Sequence, residues 1–206
     1  MNTTRIGVLT ALIALAPVLP AATKPPSELV SAVKTITNEK QQLEVHASLL
    51  TFAEAPQLEH FFEDSYGCAI FPTIGKGGLG VGGAHGSGWV FEKNRLTGTA
   101  KMTQVTVGFQ AGGQAFQQII FFEDEHAYHT FISGSFEFGA QASAVALQAG
   151  ANASASTAGG AGAGAGDSQS KKRYTDGMAV FTKAKGGLMY EASVGGQKFK
   201  FRPIKR

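Results

Sequence analysis

The chain of 206 residues contains one cysteine, Cys68, so no internal disulfide can form and stability has to come from packing. Cys68 sits inside "GCAIFP", a setting that favours a buried small apolar residue over a reactive thiol. It is also remote from the start of the chain, which leaves no cysteine there for a lipid anchor. Long apolar runs are scarce as well. The stretch from Ile6 to Leu19 is short, and Pro17 and Pro20 break it, which disfavours a membrane span. With Arg5 ahead of it and Ala21 and Ala22 behind it, the segment 1–22 reads as an export signal. The remaining residues, 23–206, are expected to form a single domain, exported to the periplasm or secreted, and able to associate with a membrane.

Catalytic patterns are missing. "GKGGLGVGG" contains G-x-G-x-x-G as Gly75, Gly77 and Gly80, but a dinucleotide turn needs a helix to begin there and an acid about 20 residues further on. The following "GGAHGSGWVF" is punctuated by glycine, and "GTAKM" has no carboxylate. His126 and His129 stand beside Glu123, Asp124 and Glu125 without a His-Glu-x-x-His pattern or a third ligand. His85, flanked by glycines, has no nucleophile and carboxylate to complete a triad. The chain is therefore read as no enzyme, with no catalytic residue, metal or cofactor.

What the sequence does have is 27 glycines and two kinds of periodicity. "KPPSELV" offers a helix start with Ser27 as N-cap. Leu29, Val33, Ile36, Lys40, Leu43, Ala47 and Leu50 then recur at steps of four and three, predicting a helix over 27–52 that packs on the domain's own core. "QLEHFFEDSYG" predicts a second, short helix closing at Gly67. From Cys68 onward the period becomes two. Val105, Val107, Phe109, Ala111 and Ala115 share one face against Gln104, Thr106, Gln110 and Gln114, as in a half-buried antiparallel strand. A further short helix follows, capped by Asp124 and ending at Gly134.

Two segments recur: "AIFPTIGKGGL" from Ala69 returns as "AVFTKAKGGL" from Ala179, and "GFQAGGQAFQ" from Gly108 returns as "GAQASAVALQ" from Gly139. The order A, B, B′, A′ predicts internal pseudo-symmetry, with each Lys-Gly-Gly-Leu turning a strand back on itself. The expected fold is α+β, with N-terminal helices packed on a twisted antiparallel sheet or sandwich. The Ala/Gly-rich stretch at about 149–170 lacks the bulk for a core and is expected to be a surface loop.

The net charge of +3 is mild, but cations crowd the C-terminal part. In "KFKFRPIKR", Lys198, Lys200 and Arg202 fall on one strand face and Phe199 and Phe201 on the other. These cations, with Lys205, Arg206 and the run Lys171, Lys172 and Arg173, form the candidate anion-binding set. An exported chain with few aromatics to stack on bases fits nucleic acid poorly. Anionic phospholipid is the better partner. An exported structural or adhesive domain that binds another protein is the alternative.

Taken together, these motifs resemble the SYLF domain family. An Ala-Pro and short helix lead into Gly-x-Ala-x-Phe-Pro, then a Lys-x-Gly turn, a Gly-Gly-x-x-Gly-x-Gly segment and a Gly-x-Gln-x-Gly strand. Gly67, Phe71, Pro72, Lys76, Gly78, Gly82, Gly83, Gly86 and Gly88 match the first block. Gly108, Gln110 and Gly112 match the second, and the resemblance runs from about Ser27 to Arg202. It implies a non-enzymatic lipid-binding module. Eukaryotic relatives bind phosphoinositide-containing membranes and in some cases actin, and bacterial ones are commonly exported. The leading helix here departs from that pattern by lacking a basic polar face, and the glycine-rich insertion 149–166 is an addition. For a bacterial envelope the implied ligand generalises to anionic phospholipid.

Overall fold

The computed structural model of the protein describes residues 24–139, 145–147, 156–157, 174–185 and 194–204, without the side chains of 79–80, 106–112, 145–147 and 156–157. Segment 1–22, most of the Ala/Gly-rich stretch, and Lys171, Lys172, Arg173, Lys205 and Arg206 lie outside the described residues.

The chain is mixed α+β. Helices α1 (Ser27–Val33), α2 (Glu39–Ala53) and α3 (Glu59–Asp64) precede two very long strands, β1 (Gly67–Glu92) and β2 (Arg95–Phe122). Helix α4 (Glu125–Ile132) and the strands β3 (Ser135–Glu137), β4 (Val145–Leu147), β5 (Ser156–Thr157), β6 (Met178–Lys185) and β7 (Lys198–Pro203) follow. Among the described residues all seven strands belong to one sheet, antiparallel except for the parallel pair β4–β6.

The single helix expected over 27–52 is two helices. Ser27 is not the cap: it is the first helical residue, Pro26 holds the N-cap, and the Ser27 carbonyl accepts from Ser31 Oγ at 2.8 Å. The break follows Val33. Asn38 caps the new helix by accepting from the Gln41 N–H at 3.0 Å, and Gln42 Nε2 donates to the Lys34 carbonyl at 2.6 Å, so the exposed ends find partners. Restarting rotates the buried face. Val45, Leu49 and Phe52 are buried, whereas Leu43 and Leu50, which the continuous stripe put inside, are exposed.

Nor does Lys76-Gly77-Gly78-Leu79 make a hairpin turn. It lies within β1, where a register shift separates Gly78 from Gly80. Gly78 has φ +155, and a Cβ there would collide with the Gly82 backbone. The reversal comes later, at Lys93 and Asn94, with φ of 45° and 60° between the paired residues Glu92 and Arg95. Two consecutive left-handed residues make the tight turn whose twist suits a two-residue hairpin loop.

Glycine instead allows the hairpin to fold in half. Gly78 pairs with Gly112 and Gly80 with Gly108, so β2 has a surplus of residues opposite the shift and must bulge. Beyond that line the two halves of β1 touch. A Cβ on Gly88 would lie 2.6 Å from Phe71 Cδ1 and 2.7 Å from the Ile70 carbonyl oxygen, and one on Gly86 would lie 2.6 Å from Ile74 Cγ1.

Residues of the inner face confirm the bend. Gln104 Nε2 donates to the Gly195 carbonyl at 2.9 Å, and Gln118 Nε2 donates to Gln197 Oε1 at 2.9 Å. A straight strand would hold Gln104 and Gln118 about 45 Å apart, yet their partners are near neighbours in the chain. The polarity expected at this point of β2 is accordingly inverted. Gln104 is buried and Val105 is 77% exposed, because the inward amide finds a carbonyl far away in sequence.

Inside the fold, Phe71, Phe199, Phe122, Phe131 and Tyr128 form one core, with the Phe71 and Phe199 rings 5.5 Å apart. A second core covers part of the outer face, where Leu29, Val45, Leu49 and Phe52 are buried with Ile70, Trp89, Phe91, Ile119 and Phe181. The recurring segments flank the same part of β2, with Ala69 paired to Ile120 on one edge and Val180 to Ile120 on the other. Ser156 and Thr157, inside the stretch expected to be a loop, form β5 against β4. Backbone pairing of this kind needs no bulky side chains.

Candidate functional site

Directly opposed residues of an antiparallel pair project from the same face of a sheet. The β2–β7 register sets Thr103 against Lys198, Lys101 against Lys200 and Thr99 against Arg202. On the far side of β2, Ser87 opposes Lys101 and His85 opposes Thr103. On the far side of β7, Ser135 opposes Lys200 and Glu137 opposes Lys198. All of these except Thr99, which is half-buried, are exposed, and the alternating neighbours Ala84, Ala100, Met102 and Phe199 are buried. One open face of four strands thus gathers Lys101, Lys198, Lys200 and Arg202. Helix cover ends at Trp89, which is buried in the outer core.

The charges on this face are unbalanced. Lys198 pairs with Glu137 at 3.4 Å, both side chains being largely exposed. Among the described residues none of Lys101, Lys200 and Arg202 has an acidic partner. Lys101 carries no recognisable signal in its own segment, "GTAKMTQ", and joins the site only because β7 is laid beside it. Beyond Thr103, the outer face continues to Val105 and, diagonally opposite, to Val81, which is 67% exposed.

The other candidate groups are not gathered in this way. Lys76 lies on the far half of β1, opposite Gln114. His126 and His129 are exposed on α4, and His129 meets Glu125 at 3.5 Å. Among the described residues no three His, Cys, Asp or Glu side chains are grouped as a metal site. Burial alone pushes the Cys68 thiol up to about 12. A cleft of about 360 Å³ beside α1 and α3 is lined by Lys24, Pro26, Glu59, Phe62, Glu63 and Asn94.

The fold and this face define a class: a β-rich α+β domain that presents a broad cationic surface and is built for binding. Comparison with known proteins gives two similarities. Residues 103–203 match the family Ysc84, described as Las17-binding protein actin regulator, and this span is similar to a Ysc84 (SYLF) domain. The matched span includes Lys198, Lys200 and Arg202, while the glycine motif 67–88 and Lys101 precede it. The chain is also 27% identical over 156 residues to Beta cell expansion factor A of Aeromonas veronii, covering 74% of this chain and 52% of that protein. It therefore spans about half the length of that relative.

Proposed function

We propose that the domain is an exported, non-enzymatic module that binds anionic phospholipid membranes peripherally through the face of Lys101, Lys198, Lys200 and Arg202. The observation that carries this reading is the cross-strand pair Lys101–Lys200 with Arg202 beside it. Like charges placed directly opposite one another weaken a sheet, and an anionic surface would turn that cost into attraction. Each basic residue near such a surface contributes about 1 kcal/mol, so the three cations without an acidic partner supply about 3 kcal/mol. The undescribed cations Lys171, Lys172, Arg173, Lys205 and Arg206 are counted in the same binding set.

The test is sedimentation of the protein with vesicles of zwitterionic and of anionic lipid, at low and high salt. Binding to the anionic vesicles alone, fading as salt rises, is the expected result. An affinity indifferent to salt would sink the mechanism. The family description, which names a protein as the bound partner, favours a second reading, a protein-interaction domain with a structural or adhesive role. Deleting residues 151–166 separates the two: lipid binding should survive, and partner binding through that stretch should fail.

A further inference from the structure

We infer that Val81 and Val105 form an apolar foot that enters the bilayer interface, so that the domain stands on the membrane by the folded end of its long hairpin. This inference rests on the lipid-binding reading and adds to it an orientation and a second, uncharged source of affinity.

Two large apolar side chains are conspicuously wet, Val105 at 77% and Val81 at 67% exposure. The register places them side by side. Val105 opposes Gly83, and Val81 lies two residues from Gly83 on the same strand, hence on the same face. Diagonal neighbours of this kind are about 7 Å apart. Gly83 has no side chain to cover either valine, so together they make one apolar spot. His85 and Thr103 come next on this face, followed by Ser87 and Lys101. Lys101 is about 13 Å from Val105 along the strand, and Lys200 is beside it.

The sequence along the face is apolar, then polar, then cationic, the order of acyl boundary, headgroup and anionic surface in a bilayer interface. A second copy of the chain is the weaker occupant, because it would bring the same unpaired cations toward each other. The commitment is therefore to an anionic bilayer. Lysines reach such a surface with their stems along apolar atoms and their heads among phosphates.

The full chain, labelled with an environment-sensitive dye through Val81→Cys or Val105→Cys, tests the inference. Leu43→Cys, at an exposed site on α2, provides the reference, and buried Cys68 should not take the label. With anionic vesicles the dye at 81 and at 105 should shift to the blue, while that at 43 should not. Val81→Thr with Val105→Thr should weaken vesicle binding several-fold and leave its salt dependence unchanged, whereas Lys101→Gln should reduce that dependence. If the protein sediments with vesicles while both labels stay in water, the foot is wrong and the lipid-binding reading stands. Absence of sedimentation would overturn the reading and the foot together. A blue shift that needs no vesicles and grows with protein concentration would give the face to a second copy and likewise overturn the inference.

Discussion

Replacing Lys200 by glutamate should stabilise the isolated domain and loosen its hold on anionic vesicles, two effects of opposite benefit from one side chain. Lys200 and Lys101 are directly opposed in the β2–β7 ladder and both face solvent. Their flexible stems let the ammonium groups spread to about 8 Å, where repulsion in water is ~0.5 kcal/mol. Lys200→Glu converts that repulsion into attraction, a swing of ~1 kcal/mol that salt screening reduces to about 0.5 kcal/mol. For a domain of this size the melting temperature should rise by about 1–2 °C. On the membrane the same change removes one cation and adds an anion. At about 1 kcal/mol per charge, vesicle affinity should fall by roughly 30-fold. Lys200→Gln should show about half of each effect. Thermal unfolding followed by circular dichroism reads the first quantity and vesicle sedimentation the second. A fall in melting temperature together with unchanged sedimentation would refute the reasoning, since it would make Lys200 a structural residue and the face a bystander.

The remaining predictions concern the frame that holds the face. Gly88→Ala should cost about 2–4 kcal/mol in urea unfolding, because its new Cβ would meet the Ile70 carbonyl, which cannot yield as a side chain would; Gly75→Ala, with nothing within 4 Å, should be close to neutral. Equal effects would mean that the two halves of β1 are not in contact. Cys68 keeps its proton up to about 12 in the folded state and, unfolded, loses it near the ordinary value of 9.0. Between those values the unfolded state binds fewer protons, so stability should fall with rising pH by up to ~1.4 kcal/mol per unit. Unfolding measured from pH 8 to 11 should show a shallower decline for Cys68→Ala than for the unchanged chain; identical slopes would show that the thiol is not buried.

Parts of this architecture were legible because they depend on neighbours in sequence. The alternation of Lys198, Phe199 and Lys200 sets which side of β7 is wet, and Asp124, which accepts from the Ala127 N–H at 2.8 Å, caps α4 through an adjacent turn. What failed depended on distant partners. Gln104 looked like a surface residue and is buried because Gly195 accepts its amide. Val105 looked like core and is exposed because its partner position is the bare Gly83. The Lys93-Asn94 turn went unseen because asparagine beside lysine is a weaker signal than the glycine run that drew the turn to Gly77 and Gly78. Lys101 was invisible as a site residue, since a lone lysine in a strand acquires meaning only from the strand that pairs with it.

The open cationic face follows from a mismatch of lengths. Strand β1 has 26 residues, nearly 90 Å if fully extended, while α2, the longest helix among the described residues, has 15 residues and spans only about 22 Å. Folding the hairpin in half hides one face of the sheet against itself, and glycines at the contacts make that possible. The other face remains outside, and α1 to α3 cover only the end that contains Ile70, Trp89 and Phe91. Beyond Trp89 the outer positions are free of packing constraints and tolerate charge. An uncovered sheet face needs no more than scattered polar residues to stay soluble, and Thr99, Thr103, Ser87 and Ser135 provide them. Lys101, Lys200 and Arg202 without acidic partners, and two wet valines beside them, exceed that requirement. The excess is what a binding surface adds to a scaffold, and its sign and apolar margin are the features on which the proposed anionic interface rests.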